Sequence, residues 1–409
     1  MLLKKNNILN EGYNTNFYTY KGIGPYIYSD NKKYFDLSFG SGTLILGHNS
    51  GIFKNSINEI NTKNVSLFTE PNIYANIFTK KLKEINKNYH KFILCNSGTE
   101  AVFKSLRIVK AITKKNIIIS VTGSWHGSAD KLLFKKKKNS IIPMSDGLSE
   151  NDRKNVKFID YNNIEKSKAL LKKLKNKISC IIIEPIQGCL PDPNAINYLK
   201  FLENFSKKNK SILIFDEIIT GLRSLKGSVQ NYYNLKPDIS LFGKCYGGGL
   251  PIGIIALNKK IEQKIKKKKL NIFFGGTFSA NALTCYVGNK TSKYVWKNKR
   301  IINKQCHYSK FFQEKVNSFI IKEKIDAKVF RFHSMSRIVF SKKKIIDRYQ
   351  RDFFEKNNQS KIKKFRTYLL KKKILYPKNG IIFFSDANTK KHINFFIKYI
   401  CLGLKKYFV

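Results

Sequence analysis

Acidic residues are scarce: 27 Asp and Glu stand against 78 Lys and Arg in 409 residues, a formal net charge of +51. Such a surplus would ordinarily indicate nucleic acid or an anionic membrane as partner, but the motifs that accompany those roles are missing as well. No basic segment is interleaved with aromatics as in known RNA readers, and no stretch reaches the roughly 20 apolar residues of a membrane span. The lysines are spread along the chain, with local runs at Lys135–Lys138, Lys266–Lys269, Lys342–Lys344 and Lys371–Lys373, among abundant Asn and Ile. A composition bias accounts for this pattern, so neither nucleic acid nor membrane is expected as a partner. The opening residues, MLLKKNNILNEGYN, lack a sustained apolar core and a small-residue cleavage site, so no secretory signal is expected. Cysteine is sparse: Cys95, Cys180, Cys189, Cys245, Cys285, Cys306 and Cys401 are odd in number and form no CxxC pair. That argues against a disulfide framework and a structural zinc site, and implies reduced thiols in the cytoplasm.

What is present is organised around Ile212–Gly253. Ile212–Phe215 is a short, β-branched-rich apolar run, the pattern of a strand buried on both faces of a parallel sheet, and it ends at Asp216 and Glu217. A carboxylate at the end of a buried strand needs a cationic or hydrogen-bonding partner. A second such run, Ile239–Phe242, leads into Gly243, Lys244 and the glycines Gly247, Gly248 and Gly249. An amine confined in an apolar pocket loses its proton more easily and becomes a nucleophile able to form a Schiff base. The acid then has a task beside pyridoxal phosphate, whose ring acts as an electron sink only while its nitrogen stays protonated. Taken singly, Asp216 reads more readily as a helix cap and Lys244 as one more solvated lysine. Both at strand ends, with three glycines after the lysine, point to a cofactor site.

Other strand ends carry polar clusters. Phe92–Cys95 reads as a strand, and Asn96-Ser97-Gly98-Thr99-Glu100-Ala101 follows at once, opening a helix through Val102, Leu106, Val109 and Ile112. Strand, Ser-Gly-Thr, helix start is a phosphate cradle, because unpaired N–H groups and the positive end of the helix dipole face an anion there. The same residues also make an ordinary N-cap. Ile117–Val121 ends at Thr122-Gly123-Ser124-Trp125-His126-Gly127, where a tryptophan flanked by glycine and histidine is poorly placed for core packing. Ile178–Ile183 ends at Glu184-Pro185, and the proline keeps Glu184 extended at the strand tip. Ile218, two residues past Asp216, is an apolar neighbour for a flat ligand. Lys135–Lys138 and Asp146–Asp152 read as a polar, turn-rich excursion near the mouth of the site.

The segments DEIITGLR and LFGKCYGGGLPIG resemble the signature of the class-III pyridoxal-phosphate aminotransferases, and the resemblance covers nearly the whole chain. Within that family the chain is most similar to the glutamate-1-semialdehyde aminomutases and their relatives. The resemblance implies that Lys244 is the Schiff-base lysine and proton-transfer base, with Asp216 beneath the ring nitrogen. It places Ser97, Gly98 and Thr99 at the phosphate, Trp125 on one ring face with His126 beside it, Ile218 on the other face, and Glu184 near the cofactor. It also implies an obligate homodimer in which Gly276 and Thr277 reach the phosphate of the neighbouring subunit; the residues themselves say only turn followed by helix. Phe39–Asn49, read from its glycines as a loop entering a helix, becomes the substrate-side wall.

Alternating strands and helices from 92 to 257, with these clusters at strand C-termini, are the doubly wound α/β arrangement that binds ligands at strand tips. The resemblance specifies fold type I: a large, mostly parallel sheet domain that binds pyridoxal 5′-phosphate over 56–289 and a small α+β domain over 290–409. An N-terminal segment, 1–55, joins the small domain to the site wall. The expected reaction is amino transfer through the pyridoxamine form on a small amino or carbonyl substrate, as in the aminomutases. Substrate-side positions depart from that group: Gly40-Ser41-Gly42 lacks its tryptophan, Gly380-Ile381-Ile382 lacks its glutamate, and Asn388 stands where histidine is common. Two other readings therefore stay open. One is an intermolecular aminotransferase of specialised or polysaccharide metabolism acting on a keto-sugar or small carbonyl acid; the other is an inactive aminotransferase fold that binds polyanions. Arg223 fits a substrate carboxylate or an interface ion pair equally well.

Overall fold

The computed structural model describes residues 17–137 and 140–409; positions 1–16 of the expected N-terminal segment, and Lys138 of one lysine run, lie outside them. Seven strands make the central sheet: β1 (Lys91–Cys95), β2 (Ile117–Val121), β3 (Val156–Ile159), β4 (Ile178–Ile183), β5 (Ile212–Asp216), β6 (Ile239–Gly243) and β7 (Gly253–Leu257). Their order is β1-β7-β6-β5-β4-β2-β3. Strands β4 to β7 are buried along their whole length, which is why they read as unbroken apolar runs and not as alternation. Only nine residues separate β6 from β7, too few for a crossover, so β7 returns antiparallel between β6 and β1. The other neighbouring pairs are parallel.

Crossover helices cover both faces. Helix α1 (Gly98–Thr113) sets Val102, Leu106 and Val109 against Ile182, Ile214 and Leu241. Ile196–Lys208 sets Tyr198, Leu199 and Leu202 against Ile181, Ile183 and Phe215 on the other face. The period of two along each strand sorts neighbouring residues to opposite faces. Phe134–Lys137 and Ser140–Pro143 pair as a hairpin. This corrects the expectation of a loose, turn-rich excursion: Phe134 is buried in the core and anchors a segment whose lysines alone suggested solvent.

The N-terminal strands Lys21–Ile23, Tyr26–Ser29 and Lys32–Asp36 form a meander, and Ile374–Leu375 joins its edge in parallel. Lys328–Phe332, Met335–Val339 and Ile381–Phe383 form a separate antiparallel sheet. Helices Lys299–Lys322, Gln359–Lys371 and Lys390–Phe408 cover these strands, and Phe35 and Leu37 share one core with Phe312, Phe365 and Phe396. Position 290, where the small domain is expected to begin, lies inside helix Ala282–Lys297. Among the described residues no helix is long and apolar enough to cross a membrane.

Candidate active site

A cavity of about 350 Å³ opens at the C-terminal tips of the sheet, within the range of small-ligand and cofactor sites. Ser97, Gly98, Thr99, Trp125, Glu184, Asp216, Ile218 and Lys244 all line it. Two expected site residues do not. His126 lies buried behind Asp216, and Thr277 is exposed on the surface. Thr43, Asn96, Ile219 and the stretch Leu250–Ile252 also line the cavity and carry no chemical signature of their own in the sequence. Their nearness to the glycine-rich turn, the cradle and the lysine loop was the available signal.

At one end stands the N-terminus of α1. Ser97 is its N-cap, in extended conformation, and its hydroxyl accepts the Glu100 N–H at 3.1 Å. Capping and cradle therefore coexist: the N–H groups of Gly98 and Thr99, which no helix can satisfy internally, have no partner among the described residues. The Thr99 hydroxyl accepts the Ser128 N–H at 3.2 Å, tying the cradle to the loop after Trp125. A Cβ on Gly98 would stand 2.7 Å from Ile218 Cδ1, so only glycine lets the helix start approach that side chain.

At the other end is Asp216. Its Oδ1 accepts the Ile218 N–H at 3.1 Å, and its Oδ2 lies 2.8 Å from His126 Nδ1. The histidine is thus a partner of the acid and not part of the cavity wall. Glu184 accepts the N–H of Trp125 at 2.8 Å and that of Gly188 at 3.2 Å. Burial, and next the charge of Asp216, push its carboxyl up to about 7. Glu217, adjacent in sequence, turns away into the core. It takes the N–H groups of Val229 and Gln230 at 2.6 and 3.1 Å, and burial raises it to about 7.

Lys244 begins a tight turn directly after β6 with φ +44°, in the left-handed region that a residue with a Cβ occupies only under constraint. Its Nζ donates to the Ser41 carbonyl at 3.3 Å. Burial, and then the positive charge of Arg223, lower its pKa, which favours the neutral, nucleophilic amine. Ser41 belongs to Phe39–Gly42, where φ is +45°, +61°, +55° and +85° in succession. The expected loop is therefore a left-handed turn. Asp36 holds its start by accepting the N–H groups of Ser38 and Phe39 at 2.7 and 3.0 Å, with His48 Nε2 at 2.8 Å from Asp36 Oδ2.

Arg223 follows neither sequence expectation within this chain. It is fully buried, does not line the cavity, and bonds to carbonyls and a hydroxyl. Trp125 is 43% exposed, with the Arg348 guanidinium 5.7 Å from its ring centre. The segment ahead of Thr277 is held against α1 by Lys104 and Arg107, which donate to the Phe274 and Phe273 carbonyls, each at 2.7 Å.

This geometry has relatives. The family model for class-III aminotransferases matches residues 9–331. A glutamate-1-semialdehyde 2,1-aminomutase of Methanosphaera stadtmanae is 34% identical over 342 residues, spanning 81% of this chain and 78% of the relative. The enzyme of the same name from Wigglesworthia glossinidia brevipalpis is 36% identical over 331 residues, spanning 78% and 74%. Among solved structures, an omega-transaminase from Sphaerobacter thermophilus superposes with a TM-score of 0.89 at 20% identity, over 95% of this chain and 91% of the other. A glutamate-1-semialdehyde-aminomutase from Pseudomonas aeruginosa in complex with PMP gives 0.86 at 16% identity, over 96% and 88%. At such identities the structures establish the fold, the sheet and cavity supply its physical basis, and the family model with the sequence relatives decides the assignment: the chain belongs to the class-III aminotransferases.

Proposed function

We propose that this protein is a pyridoxal-phosphate enzyme that moves an amino group within glutamate-1-semialdehyde, as an aminomutase. The observation that carries the reading is the convergence of Lys244, Asp216 and the Ser97-Gly98-Thr99 helix start on one cavity. The donor set fits the cofactor. The free N–H groups at the start of α1 suit its phosphate, Asp216 suits its ring nitrogen, Trp125 and Ile218 suit the two ring faces, and Lys244 suits its aldehyde. Glu184 stands close by, and His126 backs Asp216. When bound, the cofactor supplies an electron sink for charge developing on the carbon that bears the amino group.

The protein's own part is positioning and proton transfer. Lys244, whose pKa is lowered by burial and then by Arg223, takes the proton from that carbon and returns it. Asp216, with its Oδ2 against His126 and its Oδ1 against the Ile218 N–H, stays oriented throughout. Glu184 holds the Trp125 backbone in place at the cavity wall. Thr277 is assigned to the phosphate of a second copy, making the enzyme a homodimer. Its exposure, flanked by Phe273 and Phe278 at 73% and 58% exposed, supports a contact surface there.

One observation favours a second reading. Among the described residues lining the cavity Lys244 is the only cation, so a substrate carboxylate has no arginine partner inside it. Together with the changed Gly40-Ser41-Gly42 and Gly380-Ile381-Ile382 segments, this suits an intermolecular aminotransferase whose acceptor carries no carboxylate, such as a keto-sugar. Formation of 5-aminolevulinate from glutamate-1-semialdehyde by cofactor-loaded protein, with no amino donor added, decides between them. Product establishes the mutase. No product from protein that shows the absorbance of bound cofactor, with turnover restored by an amino donor, establishes intermolecular transfer.

A further inference from the structure

Arg223 is the least expected side chain near the site. Its Nε donates to the Ile219 carbonyl at 2.9 Å, its Nη1 to Ser334 Oγ at 3.2 Å and its Nη2 to the Gly42 carbonyl. The Phe383 ring lies 4.7 Å from the guanidinium carbon. Three parts of the chain meet on it: the loop after β5, the left-handed turn, and the hairpin and strand of the antiparallel sheet. Only 1% of the residue is exposed, and among the described residues it has no carboxylate partner. A buried charge without a counter-charge is destabilising, and an apolar side chain of similar volume would fold at lower cost. The charge itself therefore calls for a use.

The turn supplies one. Ser41 and Gly42 present consecutive carbonyls, one to Lys244 Nζ and the other to Arg223 Nη2. A guanidinium keeps its proton under all conditions a protein meets, whereas an ammonium can release one. Placed together on one turn, the two cations are relieved by neutralising the lysine. The groups facing Lys244 are Arg223, which opposes its protonation, and Cys245, Asp216 and Glu184, which favour it. Cys245 and Cys306 are the thiols facing Arg223.

We propose that Arg223 is a positioning residue for the reaction: it fixes the Phe39–Gly42 turn that receives the Lys244 amine and sets a permanent positive charge beside it. The assignment rests on Lys244 being the reacting amine. Arg223→Met removes the charge and keeps the reach, and Arg223→Lys loses the fork and replaces the permanent charge with one that burial can discharge. The readout is the pH dependence of acetic anhydride labelling at Lys244 in full-length protein freed of cofactor, quantified on the peptide that carries it. Arg223→Met moves the labelling midpoint to higher pH, and Arg223→Lys, whose ammonium can itself release a proton, moves it the same way by no more than Met does. After reloading with pyridoxal phosphate, Arg223→Met loses about tenfold in kcat/KM at neutral pH, the size of one like-charge pair, and recovers as pH rises. An unchanged midpoint in Arg223→Met overturns the proposal. Where Met does not fold, Arg223→Gln serves in its place, and failure of both while Lys folds makes the charge a requirement of folding, which also overturns it. A wild-type Lys244 that labels like a surface lysine, with no absorbance developing on addition of pyridoxal phosphate, refutes the cofactor reading and this inference with it.

Discussion

Lys244 combines a left-handed backbone with a half-buried amine facing a carbonyl. Neither feature serves stability, and together they describe a side chain held for chemistry. Replacing Lys244 with Ala removes the proposed nucleophile and leaves the helix start, Asp216 and the residues proposed to flank the ring intact. Turnover is expected to fall at least about a thousandfold, while pyridoxal phosphate still binds, as equilibrium dialysis would measure; substantial activity would show that another group reacts. Glu184 gives a pH signature. Its carboxyl is raised from 4.5 to about 7, by burial first and the neighbouring Asp216 second. In that window the folded chain keeps a proton that the unfolded chain has released, so stability falls as pH rises through it. Glu184→Gln removes its share of this dependence and leaves that of Glu217, so its stability relative to wild type should grow by up to about 3 kcal/mol between roughly pH 5 and pH 8 in urea unfolding. An equal difference at both pH values would mean that Glu184 titrates normally.

Among the elements, the turn Phe39–Gly42 and the start of α1 do the positioning, and they differ in how far they can be read locally. Ser-Gly-Thr at a helix start carries its own explanation, because cap chemistry and free N–H groups follow from short-range geometry. The turn does not. Its glycines announce a bend, yet the four successive left-handed residues depend on Asp36 behind them and on Arg223 and Phe383 packed in front. Gly42 has φ +85°, and a Cβ there would lie 2.6 Å from Phe383 Cε1 and 2.7 Å from Arg223 Nη2. Gly42→Ala is expected to destabilise by about 2–4 kcal/mol and to weaken the pairing of Lys244 with the Ser41 carbonyl. Gly51→Ala is the control, since nothing lies within 4 Å of that Cβ position. Unfolding midpoints for the two variants measure the contrast, and equal values would show that the turn yields easily.

For the whole molecule, one chain assembles most of the expected site but leaves Thr277 on its surface. Phe273 and Phe278 beside it are among the most exposed aromatics of the chain, and such apolar exposure marks an interaction surface. On the proposed dimer, replacing both with Glu should yield monomers in sedimentation at micromolar concentration and weaken retention of the cofactor, because the contact proposed between Thr277 and a neighbour's phosphate would be lost. Dimers that persist would place the interface elsewhere.

Five of the seven central strands and the polar clusters at their tips can be read from the residues alone. Buried parallel strands need unbroken apolar runs, and the residues at their tips follow them directly in the chain, so Asp216, Lys244, Glu184 and Ser97–Thr99 were all legible as strand-end chemistry. Which of these groups face one another, and what stands behind them, follows from the packing of segments distant in the chain. His126 and Asp216 are 90 positions apart, and Arg223 and the Gly42 carbonyl 181. Periodicity assigns a residue to a buried or an exposed face, but the partner it meets there is set by strand order and crossover packing. That is why a histidine expected at the cofactor lies behind an aspartate, and why an arginine read as a carboxylate partner or an interface ion pair holds a turn.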